Sequence, residues 1–135
     1  MPPAVRGTER LVLRQWRESD LEPFARLNAD PEVMRYFPAP LSREQSDAMV
    51  DRLSGHIEAE GWGMWALERR DTGEFIGFTG LGVPRQVLPF QPCVEVGWRL
   101  AADAWGHGFA TEAAREALRV GFDDLGLTES VAFTA

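Results

Sequence analysis

The second half of the chain carries one helical pattern that limits the possible folds more than any other feature. From Gly108 to Leu125, alanine and other apolar residues recur every three or four positions. This spacing predicts an amphipathic helix whose small-residue face can lie close on a β-sheet. Strand-like runs precede it at residues 93–100 and follow it at residues 130–134. A helix between two strands predicts that the two strands run parallel.

Two capping boxes mark the starts of two helices in the first half of the chain. The box at residues 19–22 predicts a helix that runs to about Ala29, and the box at residues 42–45 predicts a helix that runs to about Glu60. Between these helices, residues 30–37 predict a short turn or helix that begins at an Asp-Pro pair.

Three more strands complete the predicted elements. Apolar and polar side chains alternate over residues 10–16. Residues 65–69 and 74–83 predict two more strands, joined by a hairpin turn at residues 71–73. In the strand before the late helix, Gly97 predicts a bulge or the close approach of another group. The order βααβββαβ predicts an α/β (α+β mixed) fold, with a mixed, mostly antiparallel sheet and helices on both faces.

Residue counts exclude several kinds of protein. The 21 acidic and 14 basic residues give a net charge of −7, which argues against a general nucleic-acid binder. Every basic residue is arginine, so a Schiff-base lysine and a P-loop lysine are both excluded. One cysteine and two histidines exclude a disulfide within the chain, a zinc site built from cysteines and a three-histidine metal site.

Length and hydropathy predict one domain over residues 1–135 with no membrane partner. No apolar run approaches the roughly 18 residues that span a bilayer. The first seven residues lack the apolar core of a signal peptide. We therefore expect a cytoplasmic enzyme or binding module.

A glycine-containing turn, Trp-Gly-His-Gly-Phe-Ala-Thr-Glu at residues 105–112, joins the predicted strand to the late helix. Glycines allow backbone N–H groups to converge on an anion, and the N-terminus of a helix adds about half a positive charge. A tight turn with close helix packing accounts for the same glycines equally well. The third glycine of the dinucleotide-binding fingerprint is absent, and so is the lysine of the Walker A motif.

This turn is the last of six short motifs that occur in a fixed order. They are Thr8–Trp16 (TERLVLRQW), Asp20-Leu21, Asp30-Pro31-Glu32-Val33, Phe75-Ile76-Gly77, Glu95-Val96-Gly97-Trp98 and Trp105–Ala113. The ordered set resembles the GNAT superfamily of acetyl-CoA-dependent N-acetyltransferases over essentially the whole chain. The similarity is to the RimJ/RimL-like branch, which acetylates protein N-terminal amines and has relatives that act on small amines.

The resemblance implies acetyl-CoA as the acetyl donor, without a metal. The family signature Q/R-x-x-G-x-G/A would fall on Trp105, Gly108 and Ala110, with tryptophan in place of glutamine or arginine. The turn's backbone amides would hold the pyrophosphate, the strand would pair with the pantetheine arm, and an amide near Trp98 would polarise the thioester carbonyl. The residues implied in cofactor binding are Val96, Gly97, Trp98, Arg99, Leu100, Trp105, Gly106, His107, Gly108, Phe109, Ala110 and Thr111.

The resemblance also implies how the acceptor reacts. A primary amine, either a protein N-terminal α-amine or a small-molecule amine, would attack the thioester directly in a ternary complex. Glu95 would accept the amine proton, directly or through water. The alternative for Glu95 is a strand carboxylate that faces solvent or pairs with Arg99. Phe37, Trp62 and Trp65 would line the acceptor cleft, and core packing is their alternative role.

Members of the family continue beyond the strand that starts at Ser130 with a further helix and strand, whereas this sequence ends at Ala135. Their usual tyrosine acid lies on that helix, and the only tyrosine here is Tyr36. We therefore expect an incomplete domain with an uncovered strand edge that associates into a homo-oligomer. The alternative function is a CoA-binding module of the same fold with little or no catalysis.

Overall fold

The computed structural model describes residues 6–35, 39–82, 94–120 and 131–133. The strands are β1 (Arg6–Gly7), β2 (Leu11–Arg14), β3 (Met64–Arg69), β4 (Phe75–Gly82), β5 (Val94–Leu100) and β6 (Val131–Phe133). The helices are α1 (Leu21–Ala29), α2 (Arg43–Glu60) and α3 (Phe109–Arg119), with 3-10 turns at Glu18–Asp20 and Ala102–Ala104.

The described strands form one sheet in chain order, from β1 to β6. Neighbours from β1 to β5 pair antiparallel, and β5 pairs parallel with β6. Helices α1 and α2 pack against each other and against β4 and β3, while α3 covers the other face over β4 and β5. The predicted mixed, mostly antiparallel sheet with helices on both faces is confirmed.

Two kinds of packing hold the helices to the sheet. Under α1, the rings of Trp16 and Phe24 lie 4.9 Å apart, and both contact Phe75 and Phe78 of β4. Under α3, the buried side chains after Phe109 are all alanine, which allows the helix to lie close to the strands. The buried residues of α3 are Phe109, Ala113, Ala114 and Ala117.

A buried ion-pair group joins β2 to the start of α1 and to β3. The Arg14 guanidinium, 4% exposed, donates to both Asp20 carboxylate oxygens at 2.8 and 2.9 Å and to Glu68 at 3.0 Å. Burial lowers the pKa of Arg14, but hydrogen bonds and charges from Asp20 and Glu68 raise it above its ordinary value overall. Arg14 therefore stays charged, and its charge is matched inside the fold.

This group explains why the predicted capping box at residues 19–22 is wrong. The Asp20 carboxylate accepts the backbone N–H of Arg17 at 2.8 Å, so a 3-10 turn precedes α1, which begins at Leu21. The second box is confirmed: the Ser42 hydroxyl accepts the Gln45 N–H, and α2 ends at Gly61 in the left-handed conformation. The first strand is shorter than predicted, Leu11–Arg14 instead of 10–16, and the two-residue β1 was not predicted.

The pairing of β4 with β5 does not show the bulge predicted at Gly97. Pairing between β4 and β5 runs without a shift from Gly77 to Gly82, and the register shift falls between Leu67 and Glu68. Whether another group approaches Gly97 closely stays a prediction. A close approach is found at Gly77, whose φ is +145°. A Cβ built there would lie 2.0 Å from the Arg99 carbonyl oxygen. Only glycine fits where β4 presses against β5 in this way.

Several sequence predictions fall outside the described residues. These are the Tyr36 and Phe37 end of the predicted turn, the continuation of the late helix beyond residue 120, and the outer residues of the last strand, Ser130 and Thr134. Among the residues that the structure describes, no helix combines the length and apolar character needed to cross a membrane.

Candidate active site

The glycine turn lies at the exposed N-terminus of α3, one short 3-10 turn after β5. Gly106 has φ +82° and Gly108 has φ +76°, so both adopt the left-handed conformation that favours glycine. The first hydrogen bond of α3 runs from Glu112 N–H to the Gly108 carbonyl at 3.1 Å. The N–H groups of the preceding four residues have no acceptor within the helix, which is the arrangement that binds anions.

A carboxylate on the first turn of α3 ties this turn to the start of β2. Glu112 Oε2 accepts the Thr8 hydroxyl and, at 2.9 Å, the backbone N–H of Arg10. Glu112 Oε1 accepts Arg10 Nε at 2.7 Å. All these donors lie outside α3, so Glu112 does not cap the helix's own N–H groups.

These contacts determine the acidity of Glu112. Burial raises the pKa of its carboxyl, but hydrogen bonds from Thr8 and from the backbone and side chain of Arg10 lower it below the ordinary value overall. Because the folded-state pKa is lowered, the ionised Glu112 carboxylate stabilises the fold at pH values above its unfolded-state pKa. This contribution is lost as the pH falls through the folded pKa.

Glu112→Gln is therefore expected to lower the free energy of unfolding by about 1–2 kcal/mol at pH 7, since the amide loses the charged hydrogen bonds. The difference from the unmodified chain should shrink below about pH 4.5, the ordinary glutamate value. Urea unfolding at pH 7 and pH 3.5 measures both effects. Glu44→Gln, at an exposed site in the first turn of α2, is the matched control. A Glu112→Gln deficit that is equal at both pH values would contradict the charge-based explanation.

The Arg10 side chain reaches three parts of the turn. Besides Glu112, it donates from Nη1 to the His107 carbonyl at 2.8 Å. Its guanidinium carbon lies 4.6 Å from the ring centroid of Phe109, which is buried. The Arg69 guanidinium lies 5.1 Å from the same ring. The His107 side chain is exposed, and its ring lies 5.4 Å from the Phe109 ring. Two arginines thus approach the turn, although the chain carries a net negative charge.

Beside the turn, β5 offers backbone groups on the edge away from β4. Ala101 N–H donates to the Ile76 carbonyl of β4 at 2.9 Å. Since backbone groups alternate in direction along a strand, those of Trp98 and Leu100 point away from β4. Among the described residues, pairs between β5 and β6 extend only from Val94 to Val96.

Trp105 links the end of this edge to the glycine turn. Its indole Nε1 donates to the Leu100 carbonyl at 3.0 Å, while 42% of the residue stays exposed. Trp105 is thus a large exposed apolar side chain directly beside the turn. The turn therefore lies directly beside the Leu100 end of this edge.

On the α1–α2 face, β5 contributes Arg99 to a polar network. Arg99 Nη1 donates to Asn28 Oδ1 at 2.7 Å, and Asn28 Nδ2 donates to the Ser46 hydroxyl at 3.0 Å. Asn28 and Ser46 are fully buried. Burial lowers the pKa of Arg99. The network joins α1, α2 and β5.

The remaining predicted site residues differ in how far the structure describes them. Trp65 is fully buried and Trp62 is half-buried with its ring against His56, which matches the core-packing alternative for both. Phe37 lies outside the described residues. The Glu95 backbone lies between Gly82 of β4 and Ala132 of β6. Roles for these residues in catalysis or acceptor binding stay predictions.

No sequence pattern indicates the contacts of Glu112 with Thr8 and Arg10. All three occur in the quoted motifs, but Thr8 and Glu112 are 104 positions apart and share no periodic pattern. Only the fold brings them together. Among the described residues, no group of three or more histidine, cysteine and acidic side chains could hold a metal ion.

The candidate site combines a mixed sheet with a glycine turn between β5 and the alanine-faced helix α3. Residues 10–135 match the family described as "Acetyltransferase (GNAT) domain". The chain therefore belongs to the GNAT acetyltransferase family, whose members use acetyl-CoA.

Two individual relatives align with most of the chain. The chain is 35% identical over 118 residues to a Bacillus subtilis protein called "Uncharacterized protein YkkB", covering 87% of this chain and 67% of that one. It is 32% identical over 131 residues to "Uncharacterized N-acetyltransferase YoaA" of the same organism, covering 94% and 72% respectively.

Solved structures share the fold. A GNAT-family acetyltransferase from Bacillus anthracis superposes with a TM-score of 0.76 at 22% identity, covering 92% of this chain and 69% of that one. A ribosomal L7/L12 α-N-protein acetyltransferase, RimL, superposes with a TM-score of 0.63 at 18% identity, covering 91% and 66%. At these identities the likeness concerns the fold alone.

Proposed function

We propose that this chain transfers the acetyl group of acetyl-CoA to a primary amine by direct attack in a ternary complex. The observation that carries the proposal is the pair of neighbouring features made by the edge of β5 and the glycine turn of α3, which the Trp105–Leu100 hydrogen bond joins. It offers backbone groups suited to an extended amide chain at one end and N–H groups suited to an anion at the other. The pantetheine diphosphate part of acetyl-CoA has this chemistry in this order.

Each part of the donor has a proposed contact. The pyrophosphate binds the backbone N–H groups at residues 106–111, at the positive end of α3. The pantetheine amides pair with β5 over residues 96–100. The Trp98 N–H, which points away from β4, lies on the edge where it can polarise the thioester carbonyl. Attack by the neutral amine nitrogen forms the amide bond and breaks the carbon–sulfur bond, and the second nitrogen proton passes to the departing CoA thiolate.

The acceptor must lose a proton before it attacks. At pH 7 this costs about 1 kcal/mol for an α-amine with a pKa near 8, and about 4–5 kcal/mol for a lysine with a pKa near 10.4. We propose Glu95 as the base. A single carboxylate suits the α-amine better, which favours a protein N-terminus or a small amine of similar acidity. The RimJ/RimL-like branch, which the ordered sequence motifs resemble, would act on such amines.

Purified protein tests this proposal directly. Calorimetry with acetyl-CoA should show binding, and a thiol-release assay should show turnover that depends on added amine. Binding without amine-dependent thiol release would favour the alternative CoA-binding module. Absence of binding would exclude both. Sedimentation of the same sample tests the predicted homo-oligomer.

Gly108→Asp is expected to lower acetyl-CoA affinity at least tenfold, about 1.4 kcal/mol. The new carboxylate would repel the phosphates at the N-terminus of α3, and a non-glycine residue strains the backbone at φ +76°. Calorimetry measures the change. Gly61→Asp introduces the same charge at a similar φ of +78°, with open space around it, at the end of α2. Equal affinities for these two folded variants would argue against phosphate binding at the turn.

A further inference from the structure

We propose that Arg10 is a positioning residue for the donor: it orients the Gly108 N–H and neutralises Glu112 beside the phosphate-binding turn. The inference rests on the proposed use of acetyl-CoA. It adds Arg10, which directly precedes β2, to a site built by β5 and α3. No pattern within the glycine turn itself points to it.

Orientation follows from the geometry of one peptide bond. Arg10 Nη1 holds the His107 carbonyl oxygen at 2.8 Å. In a trans peptide the C=O and the following N–H point in opposite directions. The Gly108 N–H therefore points away from the guanidinium, and Gly108 itself is exposed. Glycine at φ +76° has a wide conformational range, so an external contact is needed to keep this peptide in one orientation.

The second effect is electrostatic. The Glu112 carboxylate lies on the first turn of α3, where a negative charge is attracted to the same helix terminus as a phosphate would be. Arg10 Nε at 2.7 Å balances that charge. Without Arg10, a carboxylate 20% exposed would remain beside the anion site and would repel the ligand.

The Arg10 side chain is held well enough to do both. Nε and Nη1 each have an acceptor, and the planar face of the guanidinium lies over the buried Phe109 ring at 4.6 Å. The backbone N–H of the same residue also donates to Glu112. Lysine offers one ammonium instead of a planar fork, so it cannot reproduce the two side-chain contacts together.

The test compares two acetyl donors on the 135-residue chain. Acetyl-CoA carries the phosphates, whereas S-acetylpantetheine carries the same thioester and amide arm without them. In Arg10→Met we expect the KM for acetyl-CoA to rise about tenfold with kcat unchanged, and kcat/KM for S-acetylpantetheine to stay at the wild-type value. Arg10→Lys should give a smaller rise in KM, because it keeps the charge but not the orientation.

The control is Arg43→Met, which removes another half-exposed arginine whose pair with Asp47 lies in α2. It should leave both donors unaffected. An unchanged KM for acetyl-CoA in Arg10→Met, or an equal loss with both donors, would overturn the inference, since the second result indicates general damage to the fold. If the wild-type chain releases no thiol from acetyl-CoA, the proposed function fails as well. If the wild-type chain does release thiol, an unchanged KM for acetyl-CoA in Arg10→Met refutes only the role of Arg10.

Discussion

Asp20→Ala is expected to lower the free energy of unfolding by about 3–5 kcal/mol, the range for breaking a buried ion pair. Asp20 is nearly inaccessible to solvent and accepts two hydrogen bonds from Arg14 and one from the Arg17 backbone. Its removal leaves the Arg14 guanidinium buried with Glu68 as its remaining anionic partner. Urea unfolding monitored by tryptophan fluorescence measures the loss.

Two further variants show whether the loss comes from the uncompensated charge. Asp47→Ala breaks an exposed pair with Arg43 in α2 and should cost no more than about 0.5 kcal/mol. Arg14→Met combined with Asp20→Ala removes both charges and should cost less than Asp20→Ala alone, because no buried cation is then left with an incomplete set of partners. If Asp20→Ala alone lowered the free energy of unfolding as little as Asp47→Ala, the buried ion-pair group would contribute little to stability.

Glu95→Gln is expected to lower the rate of acetyl transfer at pH 7 roughly 10²-fold or more, since the amide cannot accept the amine proton. The Glu95 backbone lies one residue before Val96, where the described pairing with β6 ends and the proposed donor edge begins. The deficit should shrink as the pH rises toward the pKa of the amine, because free amine then becomes abundant without a base.

Thiol release with an α-amine acceptor, followed from pH 7 to pH 9.5, measures this profile. Glu22→Gln, an exposed glutamate in the first turn of α1, serves as the control. A Glu95→Gln chain with the wild-type rate at every pH would remove Glu95 from the mechanism. A deficit that stays constant with pH would indicate that Glu95 has a role other than accepting the proton.

The sequence was most informative where local chemistry decides the structure. The Ser42–Gln45 box begins α2 and Gly61 ends it, because both work through backbone groups a few residues away. The alanine pattern similarly predicted which face of α3 is buried. The family motifs then located the proposed cofactor contacts along β5 and the glycine turn.

Prediction was weaker where a partner comes from a distant part of the chain. The pattern at residues 19–22 looks like a capping box, but the buried Arg14 needs an anion, and Asp20 supplies it. Gly97 was expected to mark a bulge or a close approach, but β5 pairs with β4 there without a register shift, and a tight contact of β4 with β5 needs glycine at position 77. The Arg10–Glu112 pair joins residues 102 positions apart, which no local pattern reveals.

The chain order of the strands also has a consequence for the sequence of events during folding. The β3–β4 hairpin needs only the short turn at residues 70–74, so it can form early at low entropic cost. Pairing of β2 with β3 encloses both α1 and α2 in one loop, and Arg14 meets Glu68 across 54 positions. Chain entropy therefore delays the burial of Arg14 until the two helices can form against the hairpin. The Arg14 guanidinium is therefore removed from water only when Asp20 and Glu68 are both in place to pair with it.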